Sequence, residues 1–329
     1  MNELVRLLWS FAARSRFSFK CMALLEQLNE QRPNLLRVLT YHSVDEPEAF
    51  DQQMKYLAAN YHVVSMRELL EAYQHGDVLP PRSVMVTFDD AYSNFAEHAW
   101  PILKRYQLPV TLFVPTAFPG HPERVFWWDR LQQAINSTAR RDELDTPVGR
   151  LSLATAAQRD QAFRRLRSYV KSLYHGEALA LVEKICDELE APPPEHHVLG
   201  WDELRRLAHE GVTMGAHSRT HPLMNRISTE EARSEAAGSL HDLEREIGPV
   251  PPVFAYPSGG VNDEVVKVLA HEGFALAFTI VRGTNDLRKA NQLRLRRNNV
   301  GQRATVDVLR ARLLQSSVHL NRWRPLSGS

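Results

Sequence analysis

Cysteine is scarce in this chain: only Cys21 and Cys186 occur among 329 residues. Neither belongs to a CxxC pair, which excludes a thiolate metal cluster or a dithiol redox motif and leaves two free thiols suited to a reducing compartment. Long apolar runs are missing as well, and no stretch approaches the roughly 20 residues of a membrane-spanning helix. There is no GxGxxG and no GxxxxGK[ST], so the nucleotide-binding α/β folds lose their main support. An excess of one charge is also lacking, with 40 Lys and Arg against 39 Asp and Glu. That balance argues against a nucleic-acid protein held by a dominant positive field. Hydrophobic residues make up 43% of the chain, enough for a substantial core and too many for wholesale disorder.

The first 34 residues read as an amphipathic helical segment. Leu4, Leu8 and Phe11 recur at helical spacing with Arg6 and Arg14 among them. Its apolar stretch, Leu7 to Ala13, is too short and too charged at its flanks for a signal peptide. The expectation is a helix lying on the domain, with peripheral contact to an anionic membrane surface as the functional alternative. This places the chain in the cytoplasm or at the inner membrane surface.

Seven short β-prone runs follow: Leu35–Tyr41, Val84–Phe88, Val110–Val114, Val212–Ala216, Val253–Tyr256, Phe274–Ile280 and Leu293–Val300. The first six are nearly unbroken apolar segments, as in strands covered on both faces. Helical patterns lie between them. Ser65 with Glu68 predicts a capping box, and Asn262 a helix start. The alternation predicts a parallel α/β architecture, either a closed barrel or an open doubly wound sheet. From about 119 to 200 no strand is evident, and this stretch reads as an α-helical insertion between the third and fourth strands, the kind of excursion that shapes an active-site mouth.

Two constellations carry chemistry. The run Val-Met-Val-Thr-Phe-Asp89-Asp90 ends a hydrophobic strand with two carboxylates. Adjacent buried carboxylates repel unless something positive sits beside them, and a metal ion would resolve this, ligated by Asp90 with Asp89 beside it as a base. The second run is Gly-Ala-His217-Ser-Arg-Thr-His221-Pro, directly after the fourth strand. Imidazoles at i and i+4 converge on one ion if the backbone between them is helical or a tight loop. One carboxylate and two histidines leave coordination positions open, as in a catalytic site rather than a structural one.

TFDD followed by HSRTH, each after a strand, resembles the polysaccharide deacetylase family of the NodB-homology type, and the opening LTYHSV is similar too. The resemblance covers roughly Leu35 to Val300. It implies a distorted, incomplete (β/α)7 barrel, one zinc-like divalent cation, and hydrolysis of N-acetyl groups on sugars, a C–N bond other than a peptide bond. By position it implies Asp89 as catalytic base and Asp90, His217 and His221 as metal ligands.

The chain departs from the family pattern in two places. Where the family carries Arg-x-Pro-Tyr, this chain reads Ala255-Tyr256-Pro257-Ser258. The tyrosine is replaced by Ser258, whose backbone N–H can still serve an oxyanion hole. The arginine is absent, leaving Arg219 or Arg297 as candidates to hold Asp89. The late Leu-x-x-His is absent as well. His319 falls in a predicted helix past the last strand, so His42 at the end of the first strand is the preferred second active-site histidine. Trp128 and Asp129 in the insertion are candidate substrate contacts beside Tyr256, Pro257 and Ser258, the tryptophan to stack on a sugar face.

The leading expectation is therefore a metal-dependent deacetylase of an N-acetylated polysaccharide, oligosaccharide or lipid-linked sugar, in a domain spanning 35–302 followed by a C-terminal helix and tail, 303–329. Two readings stand beside it: an inactive sugar-binding or assembly protein on the same scaffold, and a deformylase or amidase acting on a lipid- or nucleotide-linked sugar.

Overall fold

The computed structural model describes residues 32–140, 142–192, 197–301 and 304–317, with the side chains of 314–317 left out. The expected N-terminal amphipathic helix, Cys21 and His319 lie outside these residues. In chain order the elements are β1 (Leu35–Tyr41), α1 (Pro47–Asn60), β2 (His62–Val63), α2 (Met66–His75), β3 (Ser83–Phe88), a π-helical turn (Phe95–Ala99) running into α3 (Trp100–Arg105), and β4 (Thr111–Val114). Next come α4 (Trp127–Ser137), β5 (Glu143–Thr146), β6 (Gly149–Ser152), α5 (Ala156–Val170), α6 (His175–Glu188) and α7 (Trp201–His209). The chain then forms β7 (Thr213–Ala216), α8 (Thr229–Ile247), β8 (Val253–Ala255), α9 (Asp263–His271), β9 (Leu276–Phe278), β10 (Asn285–Asp286), β11 (Arg297–Asn299) and α10 (Val306–Ser317).

All seven predicted runs contain strands, and they pair in parallel as β11–β1–β3–β4–β7–β8–β9. The ring closes between β9 and the segment entering β11 through one bridge, Phe278 to Leu295. Seven strands, several only three residues long, make this an incomplete (β/α) barrel. Side chains on a strand alternate between faces, and the core divides accordingly. Leu36, Val38, Met85, Val253, Ala255, Leu276 and Phe278 share one cluster. Their neighbours Leu39, Tyr41, Val84, Val86, Phe254 and Ala277 share another, with residues of the surrounding helices such as Met54, Leu57, Leu243 and Leu269. Burial on both faces explains why these runs read as nearly continuous apolar stretches. Each large side chain so buried contributes about 1.5–3 kcal/mol.

The predicted caps form. Glu68 N–H donates to Ser65 Oγ at 3.2 Å and Ser65 N–H to Glu68 Oε2 at 2.8 Å. Asn262 Oδ1 accepts from Val265 N–H at 2.9 Å.

The insertion differs from expectation. It is not purely helical, because β5 and β6 form an antiparallel hairpin between α4 and α5. Both strands are short and mostly exposed, so they carry little of the apolar signal that marks a strand. The insertion has its own core, including Leu131, Ile135, Leu144, Leu151, Leu166 and Ile185. At its centre Arg159 is only 7% exposed. Its guanidinium donates to the carbonyls of Leu153, Ile135, Asn136, Thr138 and Arg140. Three of these lie at the C-terminal end of α4, where carbonyls lack helical partners and the helix dipole favours a cation. Arg159→Leu should strand several of them at about 1–3 kcal/mol each. The expected loss is about 3 kcal/mol, read as a lower urea midpoint and faster amide exchange across 127–188.

Candidate metal centre

The site lies at the C-terminal ends of β1, β3, β7 and β8, where barrels of this kind collect their functional loops. Asp89 continues β3, its N–H donating to Tyr41 O at 3.0 Å. Asp90 and Ala91 then both take left-handed backbone conformations, with φ of 74° and 52°. For non-glycine residues this conformation costs energy and marks a turn fixed by its surroundings. Here it turns the chain so that the two adjacent carboxylates point to different partners.

Asp89 is buried, 2% exposed, and gripped by Arg297, itself 1% exposed. Arg297 Nη1 and Nη2 donate to the two Asp89 carboxylate oxygens at 2.7 Å each, and Nε donates to Thr279 O at 2.9 Å. This planar fork is geometry that lysine cannot reproduce. Burial alone would push the Asp89 carboxyl up, but Arg297, with His217 in support, overrides it and holds the group below the usual carboxylate range. Arg219, the other candidate for this place, turns away to Asp242 Oδ2 at 2.9 Å.

Asp90 faces the two histidines. His217 Nε2 lies 3.4 Å and His221 Nε2 3.3 Å from Asp90 Oδ1. The segment between the imidazoles is a tight loop rather than a helix. Ser218 and His221 adopt φ of 61° and 59°, and His221 N–H donates to Ser218 Oγ at 3.0 Å. His217 Nδ1 lies 2.7 Å from Ala255 O. A carbonyl only accepts, so Nδ1 carries the proton and Nε2 is the nitrogen left facing Asp90, free in the neutral ring to ligate a cation. His221 is held edge-on by Trp128, with ring centroids 4.7 Å apart, and by Phe126 at 5.6 Å.

These donors fit a cation. Asp90 Oδ1 is buried without a well-formed hydrogen bond and is approached by two nitrogens that can each present a lone pair. Asp90, His217 and His221 each offer a ligand atom within 4.8 Å of the others, a group that could hold a metal ion. Burial would push Asp90 up, yet the two imidazoles hold its carboxyl well below the usual range. His217 is pushed up: burial opposes its charge, but Asp89 and Asp90 outweigh it. His221 is pushed down by burial, against the pull of Asp90.

The remaining predicted residues divide. His42, half-buried at the end of β1, lies close enough to lower both carboxylates electrostatically. Asp129 accepts from Tyr92 O–H at 2.8 Å and is pushed up to about 6, first by burial and then by the nearby charge of Asp90. Trp128 stacks on Phe126 at 4.4 Å and donates its N–H to the Tyr92 hydroxyl oxygen at 3.0 Å, so one face and its polar edge are already engaged. Ser258 stands at the site with φ of 50°, its Oγ accepting from Lys171 at 3.0 Å. Tyr256 and Pro257 are corrections to the expected substrate contacts. The Tyr256 side chain is fully buried with its hydroxyl spent on Leu293 O at 2.9 Å, and Pro257 is buried beside it. A strand-end tyrosine pointing into the core cannot touch a ligand at the rim. Lys171 and Tyr92 went unpredicted. Both are ordinary in sequence: Lys171 reaches the loop after β8 only once the insertion has folded, and Tyr92, two residues past Asp90, gains its role by bonding Asp129 and Trp128 of the insertion.

An incomplete parallel barrel with a buried Asp-His-His group and a separately clamped aspartate at its C-terminal rim defines a deacetylase-type hydrolase scaffold. Family comparison agrees: the polysaccharide deacetylase model matches residues 76–142 and 164–277, together more than half of the chain, and the chain belongs to this family. YxkH of Bacillus subtilis, provisionally named a polysaccharide deacetylase, is 19% identical over 264 residues, which cover 78% of this chain and 68% of YxkH. The poly-β-1,6-N-acetyl-D-glucosamine N-deacetylase of Escherichia coli K12 is 33% identical over 113 residues, covering 30% of this chain and 17% of that protein. The structure of the Streptococcus pyogenes deacetylase PplD in complex with acetate shares the fold at a TM-score of 0.58 and 19% identity, over 87% of this chain and all of that one.

Proposed function

We propose that this chain is a metal-dependent N-deacetylase of an amino-sugar polymer or oligosaccharide, with Asp90, His217 and His221 holding one divalent ion, most simply zinc, and Asp89 as the base. The observation that carries this reading is the division of labour between adjacent carboxylates: Asp90 meets two imidazole nitrogens while Asp89 is locked to Arg297. Similarity to an enzyme acting on poly-β-1,6-N-acetyl-D-glucosamine supports that polymer as the first substrate to try.

When bound, the ion would polarise an acetamide carbonyl and acidify a water molecule. Asp89, kept ionised by Arg297, takes the proton from the water as it attacks. The backbone N–H at Ser258 would receive the oxygen that becomes negative. His42, open to the rim, contacts the sugar or returns a proton to the departing amine. Trp128 and Asp129 contribute by fixing His221 and Tyr92, with contact to the sugar through their exposed parts.

An inactive binding protein on the same scaffold is the reading favoured by Ala255 in place of the family's arginine, by Ala91 after the paired aspartates and by the absent late histidine. Arg297 supplies a guanidinium to the same carboxylate from another strand, which answers the first of these three points. The test is acetate release from N-acetylglucosamine oligomers by the metal-loaded chain, with and without a chelator. Release abolished by chelation and restored by added metal supports the enzyme; bound metal with no release of acetate or formate supports the binding protein.

Metal retention should depend on pH in a definite direction. Ligating imidazoles must be neutral, so a proton competes with the metal at each. His217 holds its proton more tightly than an ordinary histidine, so acidification should strip the metal, beginning at a higher pH than for a site built on ordinary histidines. Asp89, held low by Arg297, would still be ionised there. Metal analysis after dialysis across pH 5–8 checks this, and full retention at pH 5 would contradict it.

A further inference from the structure

The helical insertion brings a cation to the site. Lys171 caps the C-terminus of α5, and its half-buried side chain reaches back to the loop after β8, where its ammonium donates to Ser258 Oγ at 3.0 Å. Among the described residues no carboxylate forms an ion pair with it. Its electrostatic surroundings are mixed: Arg167, one turn back on α5, repels it, and Asp90 attracts it from within the site. Val170 and Leu173, on either side of Lys171 in the chain, line one pocket with His221. A partly desolvated ammonium with one neutral acceptor has hydrogen-bonding capacity left over and lacks a counter-ion. Once Asp90 is committed to a metal ion, that deficit grows. The ammonium is then matched to an anion that appears in the site only during reaction or with the product.

We infer that Lys171 is a substrate-contacting residue, its ammonium, steadied by Ser258, holding the acetyl oxygen as that oxygen takes on negative charge. This rests on the deacetylase reading. As water adds to the acetamide carbon, the C–O bond forms and the carbonyl π pair moves onto the oxygen facing Lys171. Asp89 takes one water proton. On collapse the pair returns, the C–N bond breaks, the proton that Asp89 took passes to the nitrogen, which leaves as the free amine, and the acetic acid left behind ionises to acetate. Lys171 keeps all its protons; it stabilises charge through hydrogen bonding and does not transfer a proton.

The full metal-loaded chain and its Lys171→Met, Lys171→Arg and Ser258→Ala variants test this, with kcat, KM, metal content and direct binding of acetate as readouts. Loss of one such donor typically lowers kcat by about 10²–10³, and that is expected for Lys171→Met, with KM changed only a few-fold and the metal retained. Acetate should bind at least about tenfold more weakly in the same variant, since a hydrogen bond to a charged group is lost. Lys171→Arg should recover much of both, and Ser258→Ala should fall between. If Lys171→Met folds poorly, the comparison of Lys171→Arg with Ser258→Ala still decides, because a purely structural lysine predicts no dependence of acetate affinity on either. Wild-type kcat and acetate affinity in Lys171→Met would overturn the inference and leave the deacetylase reading intact. Acetate binding that depends on Lys171, in a chain that releases none from N-acetylated oligomers, would overturn the deacetylase reading instead. A chain that does neither would overturn both.

Discussion

Replacing Asp89 with asparagine lowers the rate of acetate release by about 10²–10⁴, the usual worth of a positioned general base. The amide is nearly the same shape but cannot take up a proton. Bound metal should stay near one ion per chain, because Asp89 is not among the three residues whose ligand atoms converge. Asparagine also leaves the buried Arg297 guanidinium without a counter-charge, so the melting temperature should fall too. The informative contrast is with Asp90→Asn, where metal content and activity are lost together. Equal metal loss in both variants would show that the adjacent carboxylates do not divide their tasks as their contacts indicate.

Arg297→Met should be the most destabilising single change at the site, at about 3–5 kcal/mol, because it leaves Asp89 charged, buried and unpaired. The sign of the pH dependence follows from the contacts. Arg297 holds the Asp89 carboxyl down, so in the wild type the pair's contribution is present above the carboxyl's unfolded value and is lost as pH falls through its folded value. Without Arg297, burial pushes the carboxyl up, and the variant should regain part of its deficit in mild acid, where the wild type gains nothing. Arg297→Lys keeps the charge but not the fork and should fall between. In the double variant with Asp89→Asn the two losses should be clearly less than additive, as expected for partners in direct contact. Urea denaturation at pH 5 and 7.5 measures all of this; additive losses without pH dependence would mean that the clamp contributes little.

Much of this was legible in the chain. Strands buried on both faces advertise themselves as apolar runs, which made six of the seven barrel strands readable; β11, Arg-Asn-Asn, lay in a less apolar run, while β5 and β6, short and half exposed, gave no such signal. The carboxylate and imidazole motifs could be read because each follows directly on a strand. Arg297 was identifiable only as one of two candidates. Its place two residues after Leu295, on the strand face that Leu295 shares with Phe278 and Ala255, is a period-two signal that favours it over Arg219 in an irregular loop. Tyr256 was misassigned because a motif position fixes the backbone and not which way the side chain turns. Lys171 could not be read at all. It ends an unremarkable helix, and its relation to Ser258, 87 positions further on, exists only once the insertion has folded over the rim.

The central claim is that one cation is shared by Asp90, His217 and His221, and anomalous X-ray diffraction at the zinc edge from crystals grown with zinc tests it most directly. A single strong anomalous peak enclosed by those three side chains, with Asp89 still clamped to Arg297, is the predicted result. A peak at other residues, or the three side chains closed on one another with zinc present and no peak between them, would contradict it.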